Sequence, residues 1–426
     1  MPNEHTIAEN LQRLIDAKDD IAAAITAKGG TVGQNDGFEE FSTAINNIST
    51  GVDTSNDTVT PETLAEGVTA HDASGAQITG TMENCIYYVP EGTTEITSIT
   101  IPDKTKWLKI VLPASVTIIG DNAFDGCTNL SVLDIKGTIT AIGNYAFRST
   151  KLSEFTFPNG ISKISDYAFQ YCYTLTKIVI PDSVVSIGES AFNQCYSLTT
   201  ISGGTNIKTI GNYAFTNTHI SLKKIFNSMT NVESIGNGAF GGCTLDESFK
   251  IPNSLKTIGI LAFSNCRLNG SIDMSETSVT TIGNGAFSGT IIDKVILSPF
   301  INNIVLNPFY GCRNLREIDA GSNTKYTSID GSLYEPTTAD KVSLISWAMG
   351  KDATDITIPE SCYNFGSAFM QFTRMTSINI PNRVVSILIT AFTGCTNLKT
   401  ITINKPQDSI SGAPWGAKNA TVVWMG

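Results

Sequence analysis

The sequence predicts a repeat solenoid of about eleven coils, built from short strands and short helical turns, behind a helical segment and a small β-hairpin. The main observation is a motif, I-G-x-x-A-F-x-x-C-x-x-L, whose phenylalanine recurs at a nearly constant spacing of about 23 residues. The second is composition: charged residues make up only 16% of the chain, so Thr, Ser, Asn and Gly must supply much of the polar surface. The third is a heptad pattern that is confined to the first fifty residues.

Eleven copies of the motif are aligned by their phenylalanine, and a longer gap separates the ninth copy from the tenth. A coil of this length cannot bury its apolar face alone, but stacked coils share one continuous core. The aligned residues are Phe124, Phe147, Phe169, Phe192, Phe215, Phe240, Phe263, Phe287, Phe309, Phe369 and Phe392.

The copy at 175–198 shows how one coil is expected to fold. Residues 177–180 alternate in the manner of a strand with one buried face, and Pro181 ends that strand because proline cannot donate to the ladder. We expect Gly188 to adopt backbone angles that a residue with a Cβ atom could not. Phe192 begins a short helical turn and fills the core.

The fuller pattern, IP-x-S-V-x-x-IG-x-x-AF-x-x-C-x-x-L, resembles the BspA-like leucine-rich repeats of bacterial and protist surface proteins over roughly 107–398. The segment 326–351, with its S-x-D-G-x-L-Y signature, resembles the hairpin excursions that interrupt such arrays. A leucine-rich-repeat solenoid is therefore expected over 85–405, with a hairpin insert at about 322–352. The resemblance implies adhesion and ligand binding, and it implies no chemistry.

The first fifty residues predict a helical attachment or oligomerisation segment. Apolar residues alternate at spacings of four and three, one position of this heptad pattern holds a lysine, and Gly29-Gly30 ends the helix. Two interpretations stay open: a hairpin with a second helix within the chain, or a short parallel coiled coil that makes a homo-oligomer such as a trimer. The heptad residues are Ile7, Leu11, Leu14, Ile21 and Ile25.

Residues 51–84 predict a small hairpin module or linker with Ala73-Ser74-Gly75 at its tip. This hairpin and the pattern over 11–48 resemble N-terminal modules of phage and prophage tail proteins from Gram-positive hosts. The resemblance implies tail or baseplate proteins as partners of the N-terminal segment. At the other end, residues 406–426 leave the repeat pattern, and we expect Trp415 and Trp424 to cap the open end of the array.

The residues that could suggest chemistry are explained by the repeat. Seven of the nine cysteines lie three residues after the repeat phenylalanine, where other copies have threonine, so we expect buried free thiols. No C-x-x-C and no G-x-S-x-G occurs, and the three histidines lie far apart. We therefore expect no metal site, no cofactor and no enzyme activity.

Charge and hydropathy argue against some classes of partner. The net charge is −11 and the sequence has no Lys/Arg run, which argues against nucleic acid and an anionic membrane surface. No apolar run is long enough to span a bilayer, and the start lacks the pattern of a secretory signal. We expect the protein in a virion tail or at a cell surface.

Tyrosines are concentrated in the second to fifth coils. Six of the twelve lie between 145 and 213, in positions that hold Asn, Ser, Thr, Gly or Arg elsewhere in the array. They predict a binding strip for a bacterial surface protein or glycan, because aromatic side chains bind at small entropic cost. The alternative is that the rings only pack along the solenoid edge. These residues are Tyr145, Tyr167, Tyr171, Tyr173, Tyr196 and Tyr213.

Three functions fit the sequence. The first is a phage or prophage tail-associated receptor-binding protein that presents the solenoid to the bacterial surface. The second is a bacterial cell-surface adhesin of the BspA-like type. The third is a structural spacer without a ligand.

Overall fold

The computed structural model describes residues 85–243 and 250–426, together with the backbone of two short strands at 69–71 and 77–79. The chain divides into two units, Met1–Cys85 and Ile86–Gly426. In the first unit, β1 (Thr69–His71) pairs antiparallel with β2 (Gln77–Thr79), so the two strands flank the predicted turn. The predicted helical segment lies outside the described residues.

The second unit is a solenoid, and most of its coils contribute a longer strand to one side. The alternation of apolar and polar residues turns every second side chain inward, as in β11 (Lys177–Ile180), where Ile178 and Ile180 are buried. These strands are β3 (Ile86–Tyr88), β5 (Lys109–Leu112), β7 (Val132–Ile135), β9 (Glu154–Thr156), β11 (Lys177–Ile180), β13 (Thr200–Gly203), β17 (Asn269–Asp273), β19 (Ile291–Ile296), β21 (Glu317–Asp319), β25 (Asp355–Thr357), β27 (Ser377–Ile380), β29 (Thr400–Ile403) and β30 (Thr421–Trp424).

A second set of strands, most of them only two residues long, ends just before the position of the repeat glycine, which other residues replace in some coils. Each two-residue strand buries its second residue, an isoleucine, in the core. They are β4 (Glu95–Ile96), β6 (Ile118–Ile119), β8 (Ala141–Ile142), β10 (Lys163–Ile164), β12 (Ser186–Ile187), β14 (Thr209–Ile210), β15 (Ser234–Ile235), β16 (Thr257–Ile258), β18 (Thr281–Ile282), β20 (Asn303–Ile304), β26 (Cys362–Phe365) and β28 (Ser386–Ile387).

Equivalent strands of successive coils pair in parallel and in register. The longer strands form the sheets β3-β5-β7, β9-β11-β13, β17-β19-β21 and β25-β27-β29-β30. The short strands form β4-β6-β8 and a seven-stranded sheet that runs from β10 to β20. The register follows from the period: Lys177 pairs with Thr200, one repeat later. A leucine-rich-repeat solenoid of stacked parallel coils, as the sequence predicts, is confirmed.

The repeat phenylalanines form a continuous stack inside the coils. Ring centroids of successive residues lie 4.8 to 5.7 Å apart from Phe124 to Phe309, with nearly parallel planes. All of these rings are fully buried. Because the rings repeat at the spacing of the strands, offset stacking adds to the burial of each side chain.

The repeat cysteines have a structural role. In most of these coils the Sγ atom donates to the carbonyl oxygen of the phenylalanine in the preceding coil, as from Cys195 to Phe169 at 3.0 Å. Where threonine replaces cysteine, its hydroxyl donates within its own coil, as from Thr150 to Phe147 at 2.9 Å. Burial raises the pKa of Cys312 to about 11, which keeps the thiol protonated. All nine cysteines are free, and eight are buried.

The expectation that glycine is needed at position 188 for its backbone angles is wrong. Gly188 does not have a left-handed φ. A Cβ atom there would lie 2.4 Å from the Asp166 Oδ1 atom and 2.7 Å from the Asp166 backbone nitrogen. Glycine is therefore required because the coils approach each other closely at this point.

The expectation of a helical turn at each phenylalanine is also wrong. In the copies from Phe124 to Phe287, the residues two positions before and two positions after the phenylalanine both have a left-handed φ, as Ser190 (51°) and Gln194 (60°) do around Phe192. Left-handed residues interrupt a right-handed helix. The segment instead forms tight turns, and Phe192 donates its N–H to Ala214 in the next coil at 2.8 Å.

One helix occurs in the described part of the array. Helix α1 (Leu222–Ser228) lies in the copy between Phe215 and Phe240, and Ser221 caps it by accepting a hydrogen bond from the Lys224 N–H at 3.2 Å. Its buried side chains include Leu222 and Ile225. The helix takes the place of a longer strand, which is why the sheet β9-β11-β13 ends there.

The gap between Phe309 and Phe369 contains an antiparallel meander of β22 (Thr327–Ile329), β23 (Ser332–Thr338) and β24 (Lys341–Ser346). Asp330-Gly331 forms its first turn with two positive φ angles, as a two-residue hairpin loop requires. Strand β24 then pairs in parallel with β26, so the array resumes. We call the junction of the Phe309 coil, this insert and the Phe369 coil the seam.

The array extends beyond the eleven copies at both ends, to about 14 coils. Residues 86–107 form a coil without the motif. At the other end Trp415, fully buried, lies 6.5 Å from Phe392 between ring centroids. Strand β30 pairs in register with β29, and Trp424 stays half-buried beside Trp415. The sequence underestimated the number of coils because these end coils lack the phenylalanine.

Candidate ligand-binding surface

Four of the six predicted site tyrosines occupy the left-handed positions that flank the repeat phenylalanine. Their φ angles are 57° for Tyr145, 59° for Tyr167, 63° for Tyr171 and 54° for Tyr213. Equivalent positions elsewhere hold mainly Gly, Asn, Ser or Gln. A left-handed φ costs an L-residue roughly 1–2 kcal/mol. Tyrosine therefore stands where the backbone favours glycine or asparagine.

Tyr145 and Tyr167 form the first of two stacks. Their ring centroids are 4.6 Å apart and their planes are inclined by 6°. The Tyr167 hydroxyl donates a short hydrogen bond to a Glu189 carboxylate oxygen, which raises the pKa of Tyr167 to about 12. Tyr167 thus remains a neutral phenol.

Tyr173 and Tyr196 form the second stack, with ring centroids 5.6 Å apart and planes inclined by 7°. Their exposed fractions are 52% and 44%, so about half of each residue stays accessible to solvent despite the stacking. Tyr171 packs at a tilt against Tyr173 at 6.2 Å. The Tyr196 hydroxyl donates to Gln194 Oε1 at 2.9 Å, which fixes the outer edge of the stack.

Arg148 lies beside the first stack. Its guanidinium carbon is 5.0 Å from the centroid of the Tyr145 ring. Asp125 holds the guanidinium by two hydrogen bonds of 2.7 Å, which raise the pKa of Arg148. Tyr167 of the first stack and Tyr171, which packs against the second, lie on either side of Phe169 in one turn, so the two stacks and Arg148 belong to one surface. We call it the tyrosine face; it consists of Tyr145, Arg148, Tyr167, Tyr171, Tyr173 and Tyr196.

Tyr213 is not stacked on the other five. It is 46% exposed, and its ring lies over Gly238, where a Cβ atom would approach the ring within 2.6 Å. The prediction of a single strip is thus corrected: five tyrosines are joined in two stacks, and the sixth lies apart from them, two coils beyond Tyr167 and one coil beyond Tyr196. Ser190 occupies the equivalent position in the coil between those of Tyr167 and Tyr213, and it carries no ring that could continue the stack.

Sequence reasoning missed Arg148, Asp125 and Glu189. The signal was present, because Arg148 lies 23 residues after Asp125 and Glu189 lies 22 residues after Tyr167, each one repeat away. A comparison of charges in adjacent copies would have paired them. Glu189 is itself held from the preceding coil, because its N–H donates to Asp166 Oδ1 at 2.8 Å.

Over residues 85–243 and 250–426, no group of three or more His, Cys, Asp or Glu side chains is arranged to hold a metal ion. Helix α1, the helix in that part, is too short to cross a bilayer.

The fold, the spacing of the copies and the buried Phe and Cys positions agree with a known repeat family. The model of the BspA-type leucine-rich repeat region matches residues 94–223, 210–339 and 332–414, which together cover well over half of the chain. The chain belongs to this family. No curated protein matches the chain.

One solved structure supports the same fold. A leucine-rich repeat protein from Bacteroides ovatus is 20% identical, with a TM-score of 0.51 over 87% of this chain and 100% of that one. Two others are similar to smaller extents. A leucine-rich cell surface protein from Faecalibacterium prausnitzii is 20% identical over 85% of this chain and 96% of its own, with a TM-score of 0.42. A protein from Eubacterium ventriosum is 21% identical over 64% of this chain, which spans 66% of that protein, with a TM-score of 0.36.

Proposed function

We propose that this protein is a cell-surface adhesin of the BspA-like type, and that its tyrosine face binds a protein or glycan on another cell. The observation that carries the proposal is the placement of three of its tyrosines, Tyr145, Tyr167 and Tyr171, at left-handed backbone positions. The fold does not need rings there, since Gly, Asn and Ser occupy the same positions in other coils. A ligand supplies a reason for their presence.

The chemistry of the tyrosine face suits such a ligand. Stacked, rigid phenol rings offer flat apolar area together with hydroxyl groups and lose little side-chain entropy on binding. Arg148 is held rigidly by Asp125, so its remaining donors are oriented before the ligand arrives. Glu189 and Gln194 add acceptors at the edges of the two stacks.

The tail-associated form of this function stays a prediction. It depends on the heptad pattern and the hairpin module at the N-terminus, most of which lie outside the described part of the chain. Membership of the BspA-type family favours the cell-surface adhesin, because the resemblance implies adhesion. A structural spacer would leave the tyrosine placement without a reason.

The test compares two double variants of the full chain. Tyr173→Ser with Tyr196→Ser removes the exposed stack, whereas Tyr88→Ser with Tyr363→Ser removes two tyrosines outside the tyrosine face. We expect fluorescently labelled wild type and control to bind intact Gram-positive or epithelial cells in flow cytometry. The Tyr173/Tyr196 variant should lose about tenfold or more, because each aromatic contact contributes on the order of 1 kcal/mol.

Pretreatment of the cells identifies the ligand: protease abolishes binding to a protein, and periodate abolishes binding to a glycan. Circular dichroism of both variants checks that the coils remain folded. Failure of the wild type to bind either kind of cell, or equal binding by the two variants, contradicts the proposal.

A further inference from the structure

A basic cleft lies at the seam, away from the tyrosine face. It has a volume of about 480 Å³ and is open to solvent. Three of the seven arginines of the chain line it, in a protein whose net charge is −11. We call it the arginine cleft; its lining residues are Asp293, Arg313, Asn314, Arg316, Gly350, Asp352 and Arg374.

The insert creates this cleft. The Phe309 and Phe369 coils meet at the turn of the repeat phenylalanine, as shown by the hydrogen bond of 3.0 Å from Asn307 Nδ2 to the Ser367 carbonyl oxygen. Beside this turn, Gly350 of the insert lies between them and donates its N–H to the Leu315 carbonyl oxygen at 2.6 Å. Arg374 is thereby brought to Arg313 and Arg316, although the whole insert separates them in the sequence. A search of the sequence for Lys/Arg runs misses the cluster for this reason.

The arginines of the cleft are available to a ligand. Within the described residues, the guanidinium groups of Arg313 and Arg316 have no hydrogen bond or ion pair. Arg374 is 53% exposed, and its Nη1 atom makes only a loose ion pair of 3.8 Å with Asp352. The wall beside them is bare backbone at Gly350, where a Cβ atom would lie 2.2 Å from the Asn314 carbonyl oxygen.

We propose that the arginine cleft binds a sugar that carries a single sulfate or phosphate ester. The planar, forked donors of arginine match tetrahedral oxyanions, and three arginines line this cleft. Asp293 and Asp352 in the same cleft accept hydrogen bonds from sugar hydroxyls. These carboxylates and the net charge repel an extended polyanion, such as a nucleic acid or an anionic bilayer. The site is separate from the proposed adhesive surface.

The test is calorimetric titration of the full chain with three sugars that differ only at one position. N-acetylglucosamine 6-sulfate and N-acetylglucosamine 6-phosphate present the two esters, and N-acetylglucosamine is the uncharged reference. We expect at least one ester to bind with a Kd of about 1 mM or below. The ester that binds more tightly identifies the source of the oxyanion, and the uncharged sugar should not bind measurably.

Two variants decide whether the cleft is the site. Arg313→Gln and Arg374→Gln should each weaken binding by about tenfold, the size expected for one charge-assisted hydrogen bond. Arg267→Gln is the matched control, because Arg267 is exposed at the same turn position as Arg313 and does not line the cleft. Binding of neither ester, equal binding of the uncharged sugar, or unchanged affinity of Arg313→Gln and Arg374→Gln would overturn the proposal. No cells are used, so the outcome is independent of the test of the tyrosine face.

Discussion

The regular array from Phe124 to Phe309 and the seam are built from the same repeat but are held together differently. In the array, each coil is bonded to residues one repeat away, and the phenylalanine stack is unbroken. At the seam the buried core divides into two clusters, one ending at Leu333 and the next beginning at Tyr334. Among the described residues, five buried side-chain polar atoms lack a partner, and four belong to the seam: Tyr334, Ser346, Trp347 and Ser367.

This difference indicates where a single residue has a large effect on the stability of the fold. Every coil of the array uses the same set of contacts, so each contact has equivalents in neighbouring coils and the stability is distributed along the stack. The seam occurs once, and single residues such as Asn307 must join coils that the sequence does not place together. The two candidate sites follow this division, since the tyrosine face modifies the regular turns and the arginine cleft exists only because of the seam.

The largest effect is expected at Asn307. Its side chain is fully buried; Nδ2 donates to the carbonyl oxygens of Ser367 and Ala368, and Oδ1 accepts from the Phe309 N–H at 3.0 Å. Asn307→Ala should lower the free energy of unfolding by about 3 kcal/mol, because it leaves several buried groups without partners. Urea denaturation measures the loss.

Asn212→Ala is the matched control in the regular array. The Asn212 side chain is half-buried, and its Oδ1 accepts one bond from Asn237 at 2.8 Å. Its loss should be about 1 kcal/mol, the value of one ordinary hydrogen bond. Equal losses for Asn307→Ala and Asn212→Ala would remove the distinction between array and seam.

A second comparison uses two glycines. Gly188→Ala should cost about 2 kcal/mol, because the new Cβ atom would collide with the Asp166 backbone in the preceding coil. Gly366→Ala at the seam should be neutral or raise stability by up to about 1 kcal/mol, since nothing lies within 4 Å and its φ is not left-handed. Thermal unfolding of the two variants measures both changes in stability. A larger loss of stability for Gly366→Ala than for Gly188→Ala would refute the close-approach explanation.

The smallest effects are expected for two buried tyrosines at the seam, and the two effects should have opposite signs. Tyr334→Phe removes a hydroxyl that has no partner and should raise the free energy of unfolding by about 1 kcal/mol. Tyr326→Phe removes the acceptor of the Ile304 N–H, at 2.9 Å, and should lower it by about the same amount. Urea denaturation in parallel tests the signs, and a loss of stability for Tyr334→Phe would show that its hydroxyl is satisfied.

The periodicity predicted most of the array because its contacts are local in units of the repeat. The register of Lys177 with Thr200 and the burial of Phe192 and Cys195 follow from aligned copies. The candidate surface was predicted only in outline. The six tyrosines could be singled out by their unusual positions, but the arginine beside Tyr145 is held by Asp125, which lies in another copy.

The sequence by itself determined the repeat, its strands, its core residues and the membership of the tyrosine cluster, because each rests on side-chain types that recur at a fixed spacing. The tertiary structure alone decided the reason for Gly188, the left-handed angles that make Tyr145 and Tyr167 unusual, and the arginine cleft. These features depend on which atoms of neighbouring coils meet. Where an insert separates neighbouring coils in the sequence, the period no longer carries that information.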